Sequence, residues 1–361
     1  MSRVSLVDAL RGVALLGLPL TNLAYMADFN NGYIAADEGG LDAFLTFFID
    51  VVAQGRFRTI FSILFGLSMC LFIEKHGNDF FTRKAQTRLY ALGVIGCIHG
   101  FAIWPGDILV NYALSGLLLL YVIQSDSKTL VKLSVCTIVL PITLLAYLAF
   151  VYDEPTPLIP TKPVDGLLSF FRSNIEHFFE MLTLIPFLTL WYTFGLMVIG
   201  VLMYRAGWLQ GRALSPLFCI AVLIPLAVFG SISARWLFFY EHRIVFEVVN
   251  WLFAIPFCLA LISLSTYIPR SKIAKGNVLV LAGRYSLSLY LLQSILGIVT
   301  FQLILQNLQL ELRQIHFITI FVALTVLQLS LAWTLSYYKV MGPAERLFMS
   351  LQEFFQKRVA K

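Results

Sequence analysis

CIHGFAIWPGDILVNY, residues 97–112, places two apolar segments on either side of a Trp-Pro-Gly turn. Proline and glycine side by side stop one helix and let the chain start another. The link is short, so the two helices are expected to run antiparallel as neighbours. His99 falls near the end of the first, Asp107 opens the second, and Asn111 follows one turn later. Polar and ionisable groups this deep in an apolar chain are costly, and they face a partner or a cavity. The pattern predicts one hairpin of a helical bundle with its polar atoms turned inward.

The rest of the chain has the same character. Hydrophobic residues make up 59% and charged residues 13%, where a soluble domain carries about 25% charged residues. The apolar residues gather in runs long enough to cross a bilayer as helices. About ten are legible: 6–26, 57–73, 89–104, 108–124, 130–151, 183–204, 214–233, 247–266, 283–302 and 317–338. The expected fold is all-α, a polytopic membrane helix bundle forming a single domain over residues 1–361. Residues 41–53 read as an interfacial helix leading into the second run, with a separate crossing as the alternative. The first run carries Asp8 and Arg11 near its start and has no small-x-small site before Asp28, so it reads as a retained helix rather than a cleaved leader.

Charge follows the alternation of the runs. Arg3, Lys75, Arg83, Lys84, Arg88, Lys128, Lys132, Arg205, Arg212, Arg270, Lys272, Lys275, Lys339, Arg346, Lys357, Arg358 and Lys361 fall on one side. Asp28, Asp37, Glu38, Asp42, Asp153, Glu154, Asp165, Glu176 and Glu241 fall on the other. The positive-inside rule assigns the basic side, with both termini, to the cytoplasm of a bacterial inner membrane. The net charge of +6 is then a cytoplasmic collar and calls for no nucleic-acid partner. The longest outer loop, 152–182, holds four prolines and then an amphipathic stretch, Leu167–Met181, expected on the outer surface. Residues 339–361 read as a short basic tail. All five cysteines lie in apolar segments and read as small core residues. Cys97 and His99 alone are far short of a metal ligand set. A homodimer is left open.

Polar residues at helical spacing mark inward faces. Asp8, Arg11 and Asn22 share one face of the first run. In the second, Gly55, Thr59, Ser62 and Gly66 form a small-residue stripe suited to close packing. Arg56 and Arg58 sit at its outer end, where they either snorkel to the interface or bind an anionic group. Gly96 and Gly100 flank His99, and Trp104 lies about one turn beyond it. Asp107, Asn111 and Ser115 repeat every four residues. The ninth run carries Ser286, Tyr290, Gln293, Ser294 and Gly297 on one face, with Arg284 at its cytoplasmic end.

Five pieces, in order, carry a resemblance: LVDALRGVALLGLPLTN (6–22), GRFRTIFSILFG (55–66), GCIHGFAIWPGDILVNYALSG (96–116), GRYSLSLYLLQS (283–294) and GPAERL (342–347). Together they resemble the YeiB family of bacterial inner-membrane proteins, a domain of unknown function. The opening D-x-x-R-G followed by an asparagine is also similar to the start of the heparan-α-glucosaminide N-acetyltransferases and, more loosely, of the wider transmembrane acyltransferases. That likeness implies transfer of an acyl group from cytosolic acyl-CoA, a co-substrate rather than a tightly bound cofactor, to an acceptor across the membrane. Those transferases carry a catalytic histidine in the loop after the first helix, whereas here residues 27–42 contain none. His99 takes the role of base in this reading.

Acyl transfer needs a base, donors for an oxyanion and cations for the coenzyme A diphosphate. His99 is the expected base and Asp107 its orienting acid. Asn22, Arg56, Arg58, Trp104, Asn111, Tyr290 and Gln293 are expected around the acceptor, an envelope glycan or lipid. Asp8, Arg11 and Arg284 are expected at the coenzyme A end. The alternative is a secondary transporter in which His99 and Asp107 relay protons.

Overall fold

Long apolar segments in a bilayer satisfy every backbone amide internally, and helices do so residue by residue. In the computed structural model the described residues are 3–29, 32, 39–76, 78–152, 167–239, 242–269 and 276–359, and no strand occurs among them. Asp37, Glu38, Asp153, Glu154, Asp165, Glu241, Arg270, Lys272, Lys275 and Lys361, used above for orientation, lie outside the described residues, as do the loop prolines. The helices are α1 (Arg3–Gly17), α2 (Pro19–Ala27), α3 (Gly40–Phe48), α4 (Arg56–His76), α5 (Asn78–Ala102), α6 (Leu109–Val122), α7 (Ser127–Tyr152) and α8 (Leu167–Leu184). They continue as α9 (Leu190–Arg205), α10 (Pro216–Phe218), α11 (Ile224–Phe238), α12 (Arg243–Ser265), α13 (Val278–Arg284), α14 (Ser286–Ile298), α15 (Gln314–Tyr337) and α16 (Pro343–Val359). Single π turns join α8 to α9, α10 to α11 and extend α3 and α14.

Eight helical stretches among the described residues are long and apolar enough to cross a membrane. The shorter α6 and the 25-residue α5 account for the remaining two expected runs. The protein is a polytopic helical membrane protein. Residues 40–53 form a helix that ends at Gln54 and Gly55, where Gly55 adopts φ +76°. At about 1.5 Å per residue this piece reaches only about 21 Å, short of the roughly 30 Å hydrocarbon core, so it does not span alone.

Small residues set the closest contacts. A Cβ on Gly66 of α4 would strike the Met197 carbonyl of α9, and one on Gly200 of α9 would strike the Ile63 carbonyl of α4. Gly12 and Gly283 do the same for α1 and α13, meeting the Leu279 and Asp8 carbonyls. The stripe read from Gly55 to Gly66 is therefore a packing seam: Thr59 meets the Tyr192 hydroxyl at 3.2 Å and Ser62 that of Tyr112 at 2.7 Å.

Two expected spans are broken. Pro19 separates α1 from α2 at Leu18, and Tyr285 separates α13 from α14. The amphipathic stretch at Leu167 is helical, as expected, and continues into α9. Its Phe170, Asn174 and Phe178, four residues apart, are buried, while Leu168, Phe171, Ile175 and Phe179 are exposed. The basic tail folds as α16 and packs on α5 and α14. Cys70, Cys219 and Cys258 are buried, but Cys97 and Cys136 are exposed, which corrects their reading as core residues.

Candidate functional site

The turn between α5 and α6 is fixed from three sides. Asn174 of α8 donates to the Gly100 and Phe101 carbonyls at 2.8 and 2.9 Å, two acceptors that the end of α5 leaves open. Asp107 Oδ2 accepts the Val110 amide at 2.8 Å and so caps α6. The Tyr290 hydroxyl of α14 accepts the Ile108 amide at 3.3 Å.

His99 and Asp107 meet inside this frame. His99 Nδ1 lies 2.8 Å from Asp107 Oδ1, and both side chains are fully enclosed. The imidazole packs against the Tyr290 ring at 5.0 Å and edge-on to Trp104 at 6.4 Å. Its Nε2 is buried and has no hydrogen-bond partner among the described residues. An Asp107 carboxylate that also accepts a backbone amide favours the tautomer with the proton on Nδ1, leaving a lone pair on Nε2. Gln293, one turn along α14 from Tyr290, accepts from Gln328 Nε2 through its Oε1 at 3.4 Å, and its own Nε2 is buried without a partner among the described residues.

Several expected site residues lie elsewhere. Asp107 precedes the first turn of α6, so it does not share a stripe with Asn111 and Ser115. Those two face α9: Asn111 donates to Thr193 Oγ1 at 2.8 Å and the Thr189 carbonyl at 3.2 Å, and Ser115 to the Leu190 carbonyl. Arg56 neither snorkels nor opens to an anion. It is 1% exposed and donates to the Gln54 carbonyl, Asn250 and Ser231, tying α4 to α11 and α12. Asn22 is half-buried, and its side chain makes no hydrogen bond among the described residues.

The three residues expected at the coenzyme A end do come together. Asp8 pairs with Arg11 of the same helix at 3.2 Å and lies 3.9 Å from Arg284 of α13. Arg11 also donates to Ser68 of α4. Arg11 and Arg284 keep 29% and 40% of their side chains exposed, so the cluster is open and carries one more positive than negative charge. Gln328, Asn174, Asn250 and Glu345 were not singled out from the sequence, although each is a polar residue within or next to an apolar segment, a usable signal. Among the described residues no three His, Cys, Asp or Glu side chains are grouped to hold a metal ion.

Residues 203–353 match a family model described as "Protein of unknown function (DUF418)". The chain is 28% identical to the uncharacterized protein YeiB of Escherichia coli (strain K12) over 229 residues, 59% of this chain and 58% of that protein. It is 36% identical to the uncharacterized protein YxaH of Bacillus subtilis (strain 168) over 143 residues, 36% of this chain and 34% of that one. A 39.9 kDa protein of Bacillus acidopullulyticus, named for its place in an amylase 3' region, is 33% identical over 165 residues, 44% of this chain and 43% of its own. The matches thus span less than two thirds of each relative. No solved structure matches the chain. The likeness to the YeiB family read from the sequence motifs is borne out by these matches.

Proposed function

We infer that this YeiB-like membrane protein is an acyltransferase of a bacterial inner membrane, with both termini cytoplasmic. It takes an acyl group from cytosolic acyl-CoA and delivers it to a glycan or lipid of the envelope. The observation that carries this reading is the enclosed His99–Asp107 pair with an unpartnered Nε2.

The chemistry follows from that geometry. His99 Nε2 removes the proton of the acceptor hydroxyl or amine as its oxygen or nitrogen attacks the thioester carbonyl. Asp107 holds the ring and stabilises the imidazolium. Tyr290 and Gln293 supply donors for the oxyanion. The C–S bond then breaks, and the coenzyme A thiolate takes the proton back from the imidazolium. Asp8, Arg11 and Arg284 hold the diphosphate end of the donor, the two arginines through charge-assisted hydrogen bonds. Asn22 and Trp104 border the acceptor in this scheme.

Purified protein in proteoliposomes, given acetyl-CoA and envelope glycolipid, tests the reading. Release of free coenzyme A and acylation of the lipid are expected, both lost in His99→Gln. No release with any acceptor tried would overturn it. A second reading rests on the two broken helices, α1/α2 and α13/α14, which pack on one another. Discontinuous helices also build transporter sites, and there the same pair would relay protons. A pH-sensitive dye trapped in the liposomes separates the two, because only the transporter moves protons without acyl-CoA.

A further inference from the structure

Most arginines of the outer half are paired with a carboxylate or held by acceptors within the protein. Arg235 pairs with Asp50 at 3.0 Å, Arg243 with Glu247 at 3.8 Å and Arg313 with Asp42. Arg56 donates through both terminal nitrogens to neutral acceptors, as above, although its Nε is buried without a partner among the described residues. Arg58 is different. Its guanidinium meets no carboxylate and no hydrogen-bond acceptor among the described residues, and its Nε is buried without a partner. It stacks instead on aromatic rings, 4.2 Å from the Trp251 centroid and 5.7 Å from that of Tyr192.

The two rings are held in place. The Tyr192 hydroxyl donates to the Trp251 carbonyl at 2.9 Å and contacts Thr59 Oγ1. Stacking engages the faces of the guanidinium, and its two terminal nitrogens meet no acceptor among the described residues; planar N–H donors of this kind match a carboxylate or phosphate. A cation at membrane depth without an acid is costly, and a ring quadrupole offsets only part of that cost. The arrangement is also connected to the His99 frame, because the Arg58 carbonyl accepts from the Tyr112 hydroxyl at 3.1 Å. Tyr112 follows Asp107 by about one and a half turns on α6.

We propose that Arg58, backed by Trp251 and Tyr192, binds an oxyanion, a phosphate or carboxylate, at the outer end of α4. That this group belongs to the acyl acceptor rests on the acyltransferase reading; the anion site itself does not. The acceptor is then an anionic lipid headgroup or a charged sugar rather than a neutral glycan.

The test uses the purified full-length protein in neutral detergent and follows tryptophan fluorescence against methyl phosphate, with glycerol as the uncharged control. Trp251→Phe assigns the signal. Saturable quenching is expected in the wild type and at least about tenfold weaker binding in Arg58→Gln, with Arg58→Lys between them because an ammonium lacks the planar fork. Arg172→Gln, which removes an exposed guanidinium already paired with Glu176 at 3.0 Å, should bind as the wild type does. Should Arg58→Gln fail to fold, the lysine variant carries the comparison. Binding that is equal in wild type and both variants, or absent from wild type, overturns the proposal. Nanodiscs of phosphatidylglycerol against phosphatidylcholine then separate the sources: methyl phosphate excluded only by phosphatidylglycerol indicates a headgroup, and methyl phosphate bound in both indicates a soluble ligand. Methyl phosphate binding without any acyl transfer overturns the enzyme reading alone. Acyl transfer with unchanged acceptor KM in Arg58→Gln removes the acceptor from this site.

Discussion

Glu345 Oε1 accepts the backbone amide of Ser288 at 3.1 Å, alongside that of Leu287 at 3.0 Å, so the tail helix α16 caps the helix that carries Tyr290 and Gln293. The Ser288 hydroxyl donates to the second carboxylate oxygen and accepts the Ala344 amide at 3.0 Å. The first amides of a helix have no partner within it, and a negative charge there also suits the helix dipole. The GPAERL segment therefore has a structural role, holding the amino end of α14, the helix whose Tyr290 packs on His99.

Glu345→Ala leaves those amides without their acceptor. The expected loss is about 1.5–3 kcal/mol, the usual worth of hydrogen bonds to a charged group. Glu345→Gln keeps an acceptor oxygen but no charge and should fall between. Thermal unfolding in detergent measures both, and an alanine variant that melts with the wild type would refute the capping role.

At Gly66 the seam between α4 and α9 leaves no room for a side chain. Gly66→Val should cost at least about 1–3 kcal/mol, as overpacking does, and reduce the folded fraction seen by size exclusion. Among the described residues Gly276 has nothing within 4 Å of a Cβ position, so Gly276→Val serves as the control and should behave as wild type.

The Asp8 cluster makes a separate prediction. Arg11→Ala and Arg284→Ala should each weaken coenzyme A binding, measured by calorimetry, by about tenfold or more, with lysine restoring part of it. Arg11→Ala also leaves Asp8 without its nearer partner, whereas Arg284 is already 3.9 Å away. An Asp8→Asn, Arg11→Ala double variant should recover stability but not affinity. Wild-type affinity in both alanine variants would remove coenzyme A from this cluster.

What the sequence disclosed depended on how local the cause was. The Trp-Pro-Gly turn forces the α5–α6 hairpin, and eight residues of spacing bring His99 to Asp107. Proximity of Asp8, Arg11 and Arg284 was legible only as a shared cytoplasmic level; the contact itself depends on Gly12 and Gly283 letting α1 and α13 approach. The Asp107–Asn111–Ser115 stripe misled because equal spacing assumes one continuous helix, whereas Asp107 stands before it as a cap. Arg56 misled for a different reason: its partners Ser231 and Asn250 lie 175 and 194 residues away, beyond any local pattern.

His99 decides the mechanism. His99→Ala removes the base and also leaves the Asp107 carboxylate enclosed without its ring partner, so it should lose both turnover and several kcal/mol of stability. Loss of activity in that variant is therefore ambiguous. His99→Gln separates the two effects, since its amide N–H can still donate to Asp107 while its side chain cannot take up a proton near neutral pH. It should melt near the wild type yet transfer acyl groups about 10²–10⁴-fold more slowly, the usual contribution of a general base. Asp107→Asn keeps the Val110 cap in part but disturbs the tautomer that frees Nε2, so it should be slower than wild type and faster than His99→Gln. Thermal melting and acyl-CoA turnover measured on the same three variants give the answer. A stable His99→Gln protein with wild-type turnover would end the case for His99 as the base, whatever reaction the protein catalyses.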